Sequence, residues 1–136
     1  KNNKNDNTLL HLATQNGDEN LILWLLEQPT TLDINTVNEK GFTVLHSACW
    51  KNFFQIGKLF VEKGACLNAK DVNGFSPLYF ACAFANTEFV KWLIDSGASV
   101  KLLTNRGDTM LHSACQFNSE TTVQYLIEIG LNPEQP

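Results

Sequence analysis

Two short pairs in this chain have the composition of a metal site, His46-x-x-Cys49 and His112-x-x-Cys115. Imidazole nitrogens and thiolates are what tetrahedral zinc selects, and four such groups would complete its shell. Three histidines, His11, His46 and His112, change protonation near neutral pH, which is what a general base needs. A third chemistry is non-covalent. The chain is only 10% aromatic, yet large rings stand at Phe42, Trp50, Phe75, Phe84 and Phe117. Such side chains dominate the energetics of protein interfaces. Which of these chemistries is available depends on the elements that carry the residues.

Those elements recur. Four segments align: Thr8-Leu-Leu-His-Leu-Ala13, Thr43-Val-Leu-His-Ser-Ala48, Ser76-Pro-Leu-Tyr-Phe-Ala81 and Thr109-Met-Leu-His-Ser-Ala114, with starts separated by 35, 33 and 33 residues. Each precedes an apolar run at 21–26, 56–61, 89–94 or 123–127. Three runs stop at Gly64, Gly97 or Gly130, the residue type that closes helices in the left-handed conformation. Three segments open after a tip glycine, Gly41, Gly74 or Gly107, as a tight turn with positive φ requires. The leading Thr or Ser can cap a helix by accepting a backbone N–H. Polar breaks at Asn16-Gly17, Lys51-Asn52, Ala85-Asn86 and Asn118-Ser119 then separate a first helix from a second, more apolar one that returns antiparallel. Helices this short are unstable alone in water, so the pairs must stack into a continuous core.

The Thr-Pro-Leu-His-x-Ala pattern on a period near 33 residues resembles the ankyrin repeat family over essentially the whole chain. The units fall near 1–37, 38–70, 71–103 and 104–136. The resemblance implies a single all-α domain, a solenoid of stacked helix-turn-helix units with short hairpin-like turn tips. Departures are few. Only Pro77 keeps the signature proline, and Tyr79 stands where the other units carry His. The first unit is two residues longer, lacks the closing glycine and has Asp6 at the tip position. Its tail, from Glu27 to Asp33, is expected to follow an irregular path.

Stacking sorts the candidate chemistries. Layers ~8–10 Å apart put the two His/Cys pairs, two units apart, roughly 20 Å from one another, where zinc ligands must lie ~2.0–2.3 Å from one ion. No metal or other cofactor is therefore expected. Cys49, Cys82 and Cys115 share one repeat position, where a small apolar group is expected to pack in the core. The resemblance implies that the signature histidines bond backbone and Thr groups of adjacent units. Thr8, His11, Thr43, His46, Ser76, Tyr79, Thr109 and His112 thus form a structural set. No Ser lies in a G-x-S-x-G turn, no Gly-rich phosphate loop is present and no motif places a carboxylate pair. No catalytic residue is expected in this segment, and it does not read as an enzyme.

The resemblance also implies where a partner would sit: the tips, the residue after each tip glycine, and the two residues after the small-residue pair, all lining a concave groove. Carried over, these positions hold Phe42 and Phe75, Trp50 and Gln116, Lys51, Phe84 and Phe117, and, on the tips, Lys40, Asn73 and Arg106. Core packing explains Phe60, Phe89 and Trp92 in the second helices, but not rings at solvent-facing columns. Trp50 with Phe84 is the expected centre, and Phe42 and Phe75 are the rings most expected to rest on neighbouring tips. The nearby Lys40, Lys51 and Arg106 suit a partner segment with some acidic residues. The expected function is a protein-interaction module that binds a peptide or protein surface. The alternatives are a recognition or regulatory arm of a larger enzyme or channel, and a rigid spacer.

A net charge of −4, a pI near 5.2 and ten scattered basic residues argue against nucleic acid. Apolar stretches such as 21–26 are far too short for membrane insertion, and four cysteines are too few for a disulfide scaffold. With no Asn-x-Ser/Thr site, these features favour the cytoplasm, the nucleus remaining open. A first residue of Lys1 and apolar terminal helices are expected of a piece flanked by further repeats or domains, monomeric in isolation. Homotypic stacking through the ends is the alternative.

Overall fold

The computed structural model describes residues 9–27, 33–84, 86–117 and 119–131. Within them are eight helices and no strand: α1 (Leu9–Asn16), α2 (Glu19–Leu26), α3 (Val44–Trp50), α4 (Phe54–Glu62), α5 (Pro77–Phe84), α6 (Thr87–Asp95), α7 (Met110–Gln116) and α8 (Glu120–Glu128). The odd-numbered helices pack in succession, α1 on α3, α3 on α5 and α5 on α7, and each holds its own even-numbered partner. The all-α stack expected from the repeats is what forms.

The repeat converts directly into a core. The signature leucines Leu10, Leu45, Leu78 and Leu111 are all buried, as are the alanines Ala13, Ala48, Ala81 and Ala114. A methyl group at the alanine position lets successive inner helices approach closely, and the leucine one turn earlier fills the space between them. In the second helices one further column, Leu25, Phe60, Leu93 and Leu126, closes the other side. Trp92 is only half-buried against this core.

Helix starts are set by the expected caps. Thr43 and Thr109 accept the N–H of His46 and His112, and each histidine ring answers at the cap residue's own N–H, a reciprocal box with imidazole in place of the usual carboxylate. Ser76 Oγ accepts from Tyr79 N at 3.3 Å. Thr8 lies outside the described residues, as does most of the first unit's irregular tail.

The joints between pairs are made by polar groups at three heights. At the tips, Val72 N–H donates to Lys40 O and Asn105 N–H to Asn73 O, both at 3.0 Å. Gly74 (φ +83°) is required twice over: a Cβ there would lie 2.6 Å from Asn105 N, besides the left-handed strain. At mid-height, His11 Nε2 bonds Phe42 O and His46 Nε2 bonds Phe75 O, both at 2.9 Å. At the outer loops, Asn35 spans Gly64 O and Cys66 N–H, and Asn68 repeats this with Gly97 O and Ser99 N–H.

Two expectations need correction. His11 and His46 bond the backbone of the next pair, but the threonine that His46 and His112 bond is their own cap residue. His46 Nδ1 accepts from Thr43 N–H at 3.0 Å and from Thr43 Oγ1 at 2.9 Å, which leaves the proton on Nε2 for Phe75 O. Cys49 and Cys82 are sealed in the core, whereas Cys115 is exposed. The same repeat position is buried only where a following inner helix covers it, and among the described residues none follows α7.

Candidate groove on the concave face

The inner helices and the tips leave an open groove of about 550 Å³. Its rings arrive from different elements. Phe42 and Phe75 follow the tip glycines, Trp50 ends α3, Phe84 ends α5 and Phe117 follows α7. Trp50, Phe84 and Phe117 are 45%, 42% and 44% exposed, while Phe42 and Phe75 are half-buried. Phe42 stacks on His46 at 5.6 Å between ring centres, and Phe75 on Tyr79 at 4.7 Å. Phe84 meets Phe117 at 4.8 Å. Each half-buried ring rests on the signature residue of its own unit, which explains its lower exposure.

Phe80 was not among the candidates, and it is the hub of the cluster. Its ring lies 5.5 Å from both Phe42 and Phe75, 5.8 Å from His46 and 6.2 Å from Trp50. Its repeat position holds Leu12, Ser47 and Ser113 elsewhere. There Ser113 Oγ donates to Tyr79 O at 2.8 Å and is buried. In the third unit a ring replaces that small hydroxyl and lines the groove. The signal that could have found it is the ring at a position where two other units carry serine.

Of the other candidates, Lys40, Asn73, Arg106 and Gln116 line the groove. Lys51 does not; its Nζ lies 5.8 Å over the Trp50 ring. Ala83, in the same column as Trp50 and Gln116, is buried and makes a dip between them. Val72 and Asp108, at positions where the resemblance implies partner contact, complete the lining together with Asp71 and Tyr79, which were not among the partner-facing candidates.

Titratable groups near the groove are held by burial. Desolvation lowers the His46 pKa below its ordinary value of 6.5, against the bond to Phe75 O and the nearby Asp71 charge that raise it. His11 is lowered for the same reason. Burial pushes the Cys82 thiol up to about 12 and the Cys49 thiol well above its usual range. A neutral His46 imidazole with both nitrogens engaged, and protonated Cys49 and Cys82 thiols, suit packing. They lack the free lone pair or thiolate that attack on a substrate requires.

A family profile described as "Ankyrin repeats (3 copies)" matches residues 1–71 and 67–136. Over 64 residues the chain is 31% identical to the Probable 26S proteasome regulatory subunit p28 of Saccharomyces cerevisiae, covering 47% of this chain and 28% of that protein. A stretch of 64 residues is 36% identical to Alpha-latroinsectotoxin-Lt1a of Latrodectus tredecimguttatus, covering 47% of this chain and 4% of the toxin. The matched stretches thus span well under a third of either relative.

Proposed function

The chain belongs to the ankyrin repeat family, whose members are protein-interaction modules, and we propose that it binds an extended segment or surface of a protein partner along the concave groove. The observation that carries this is the convergence of Trp50, Phe84 and Phe117, each more than two-fifths exposed, on one groove backed by Phe42, Phe75 and Phe80. Exposed rings are costly to hydrate, and they lose little conformational freedom when a partner covers them. Affinity comes from the rings and specificity from the tips, Lys40, Asn73 and Arg106 among them. Four free cysteines, two of them exposed, suit a reducing compartment, and the cytoplasm is the proposed setting.

The test is selection from a displayed library of random peptides against the wild-type array and a Trp50→Ala/Phe84→Ala double variant. Peptides enriched on the wild type should lose about 2 kcal/mol or more of binding to the double variant, while its melting temperature changes little. Equal binding to both proteins would remove the groove from the proposal.

A second role is favoured by the small share of each relative that the match covers: the array is the recognition arm of a longer protein whose chemistry lies elsewhere. In that case the double variant changes where the full-length protein acts and leaves its intrinsic activity intact.

A further inference from the structure

Three tips in this stack are built alike, and the middle one carries a charge that its turn does not need. In each, the first residue's side chain accepts two backbone N–H groups of its own tip. Asn38 Oδ1 takes Lys40 N and Phe42 N at 2.9 and 3.1 Å. Thr104 Oγ1 takes Arg106 N and Asp108 N at 3.2 and 3.1 Å. Asp71 Oδ1 takes Asn73 N and Phe75 N, both at 2.9 Å. A neutral amide or hydroxyl suffices for the first two. Asp71 adds a second oxygen, Oδ2, which is buried and has no hydrogen-bond partner among the described residues, in a residue that is 7% exposed. An unpaired buried acceptor of this kind is unfavourable, and more so when charged.

The surroundings say what would satisfy it. Asp71 lines the groove and opens the tip that carries Phe75, packed against the tip that carries Phe42: a Cβ on Gly41 would lie 2.9 Å from its Cα. The imidazole of His46, which its charge influences, has both nitrogens occupied and is kept uncharged by burial. We propose, building on the groove as a partner site, that the partner segment inserts a basic side chain, foremost arginine, among the rings at Phe42, Trp50, Phe75 and Phe80, within reach of the Asp71 charge. Ring faces attract cations, and a guanidinium is planar and weakly hydrated enough to leave water for such a slot. Half-buried Asp108 lines the same groove and reinforces the field. The exposed Lys40 and Arg106 flank it on the neighbouring tips. The groove thus holds the Asp71 carboxylate on the tip between those that carry Lys40 and Arg106. It matches a segment with one central basic residue and neutral or acidic neighbours.

The test uses the displayed peptides and one isosteric variant, Asp71→Asn. The amide keeps the oxygen that caps the tip, as Asn38 does in the preceding one, and melting curves should overlay the wild type. Peptides enriched on the wild type should share an arginine or lysine at one position. They should bind Asp71→Asn about tenfold more weakly, and lose affinity equally when that residue is replaced by norleucine. Peptides that lack a basic residue and bind Asp71→Asn unchanged, yet are lost on Trp50→Ala/Phe84→Ala, would overturn the cation while leaving the groove. Peptides indifferent to both variants would overturn both.

Discussion

The segments Thr43–Trp50 and Thr109–Gln116 differ at only two of eight residues, Val44 against Met110 and Trp50 against Gln116. Both start with the same reciprocal Thr–His cap. Their surroundings diverge completely. His46 is fully buried and bridges to the next pair, whereas His112 is exposed and bonds only through Nδ1 among the described residues. Cys49 is sealed and Cys115 is open. A Cβ on Gly74 would strike the neighbouring tip, but one on Gly107 would meet nothing within 4 Å among the described residues. Lys101 stands where Asn35 and Asn68 tie the outer loops. The contrast teaches that the repeat encodes a half-joint. It acquires energetic weight only when another pair supplies the other half, as expected of a chain whose stability is a sum over neighbouring interfaces.

The sharpest way to break this comparison is to truncate both histidines. His46→Ala should cost about 4 kcal/mol, from a buried void, a lost cap and an orphaned Phe75 carbonyl, while His112→Ala should cost about 1 kcal/mol for the cap alone. Equilibrium denaturation of the two variants measures the gap, and equal losses would refute the half-joint. Next come the tip glycines. Gly74→Ala combines left-handed strain with a clash against Asn105 and should cost about 3 kcal/mol, whereas Gly107→Ala carries the strain only, about 1 kcal/mol. The same denaturation curves decide it.

The smallest effect is the response to pH. Burial holds His11 and His46 below their ordinary value of 6.5, so the unfolded chain takes up protons before the folded one. Stability is complete above that value and is lost as the pH falls through it. Between pH 7.5 and 5.5 the melting temperature should fall by about 3 °C. A His46→Gln variant, which preserves a capping side chain, should lose much of that slope. A slope unchanged by the substitution would assign the effect to other groups.

The local sequence determined a great deal: the period, the positions of the inner helices, the cap residues, the left-handed glycines at tips and helix ends, and the buried leucine and alanine columns. Each follows from backbone sterics or from one hydrogen bond within a few residues, so each is legible without knowing what lies across the stack. The candidate groove was half legible. The resemblance to ankyrin repeats, carried along the register, implies that Trp50, Phe84 and Phe117 lie at its surface. It does not say that Phe80 joins the ring cluster, that Lys51 rests on Trp50 outside the groove, or that Asp71 is buried beside it. Those outcomes depend on the volume and polarity that the next pair presents, which no local pattern contains. Which half-joints close and which side chains are turned out into the groove were therefore decided by the tertiary structure alone, since burial is a property of a residue and its neighbours together.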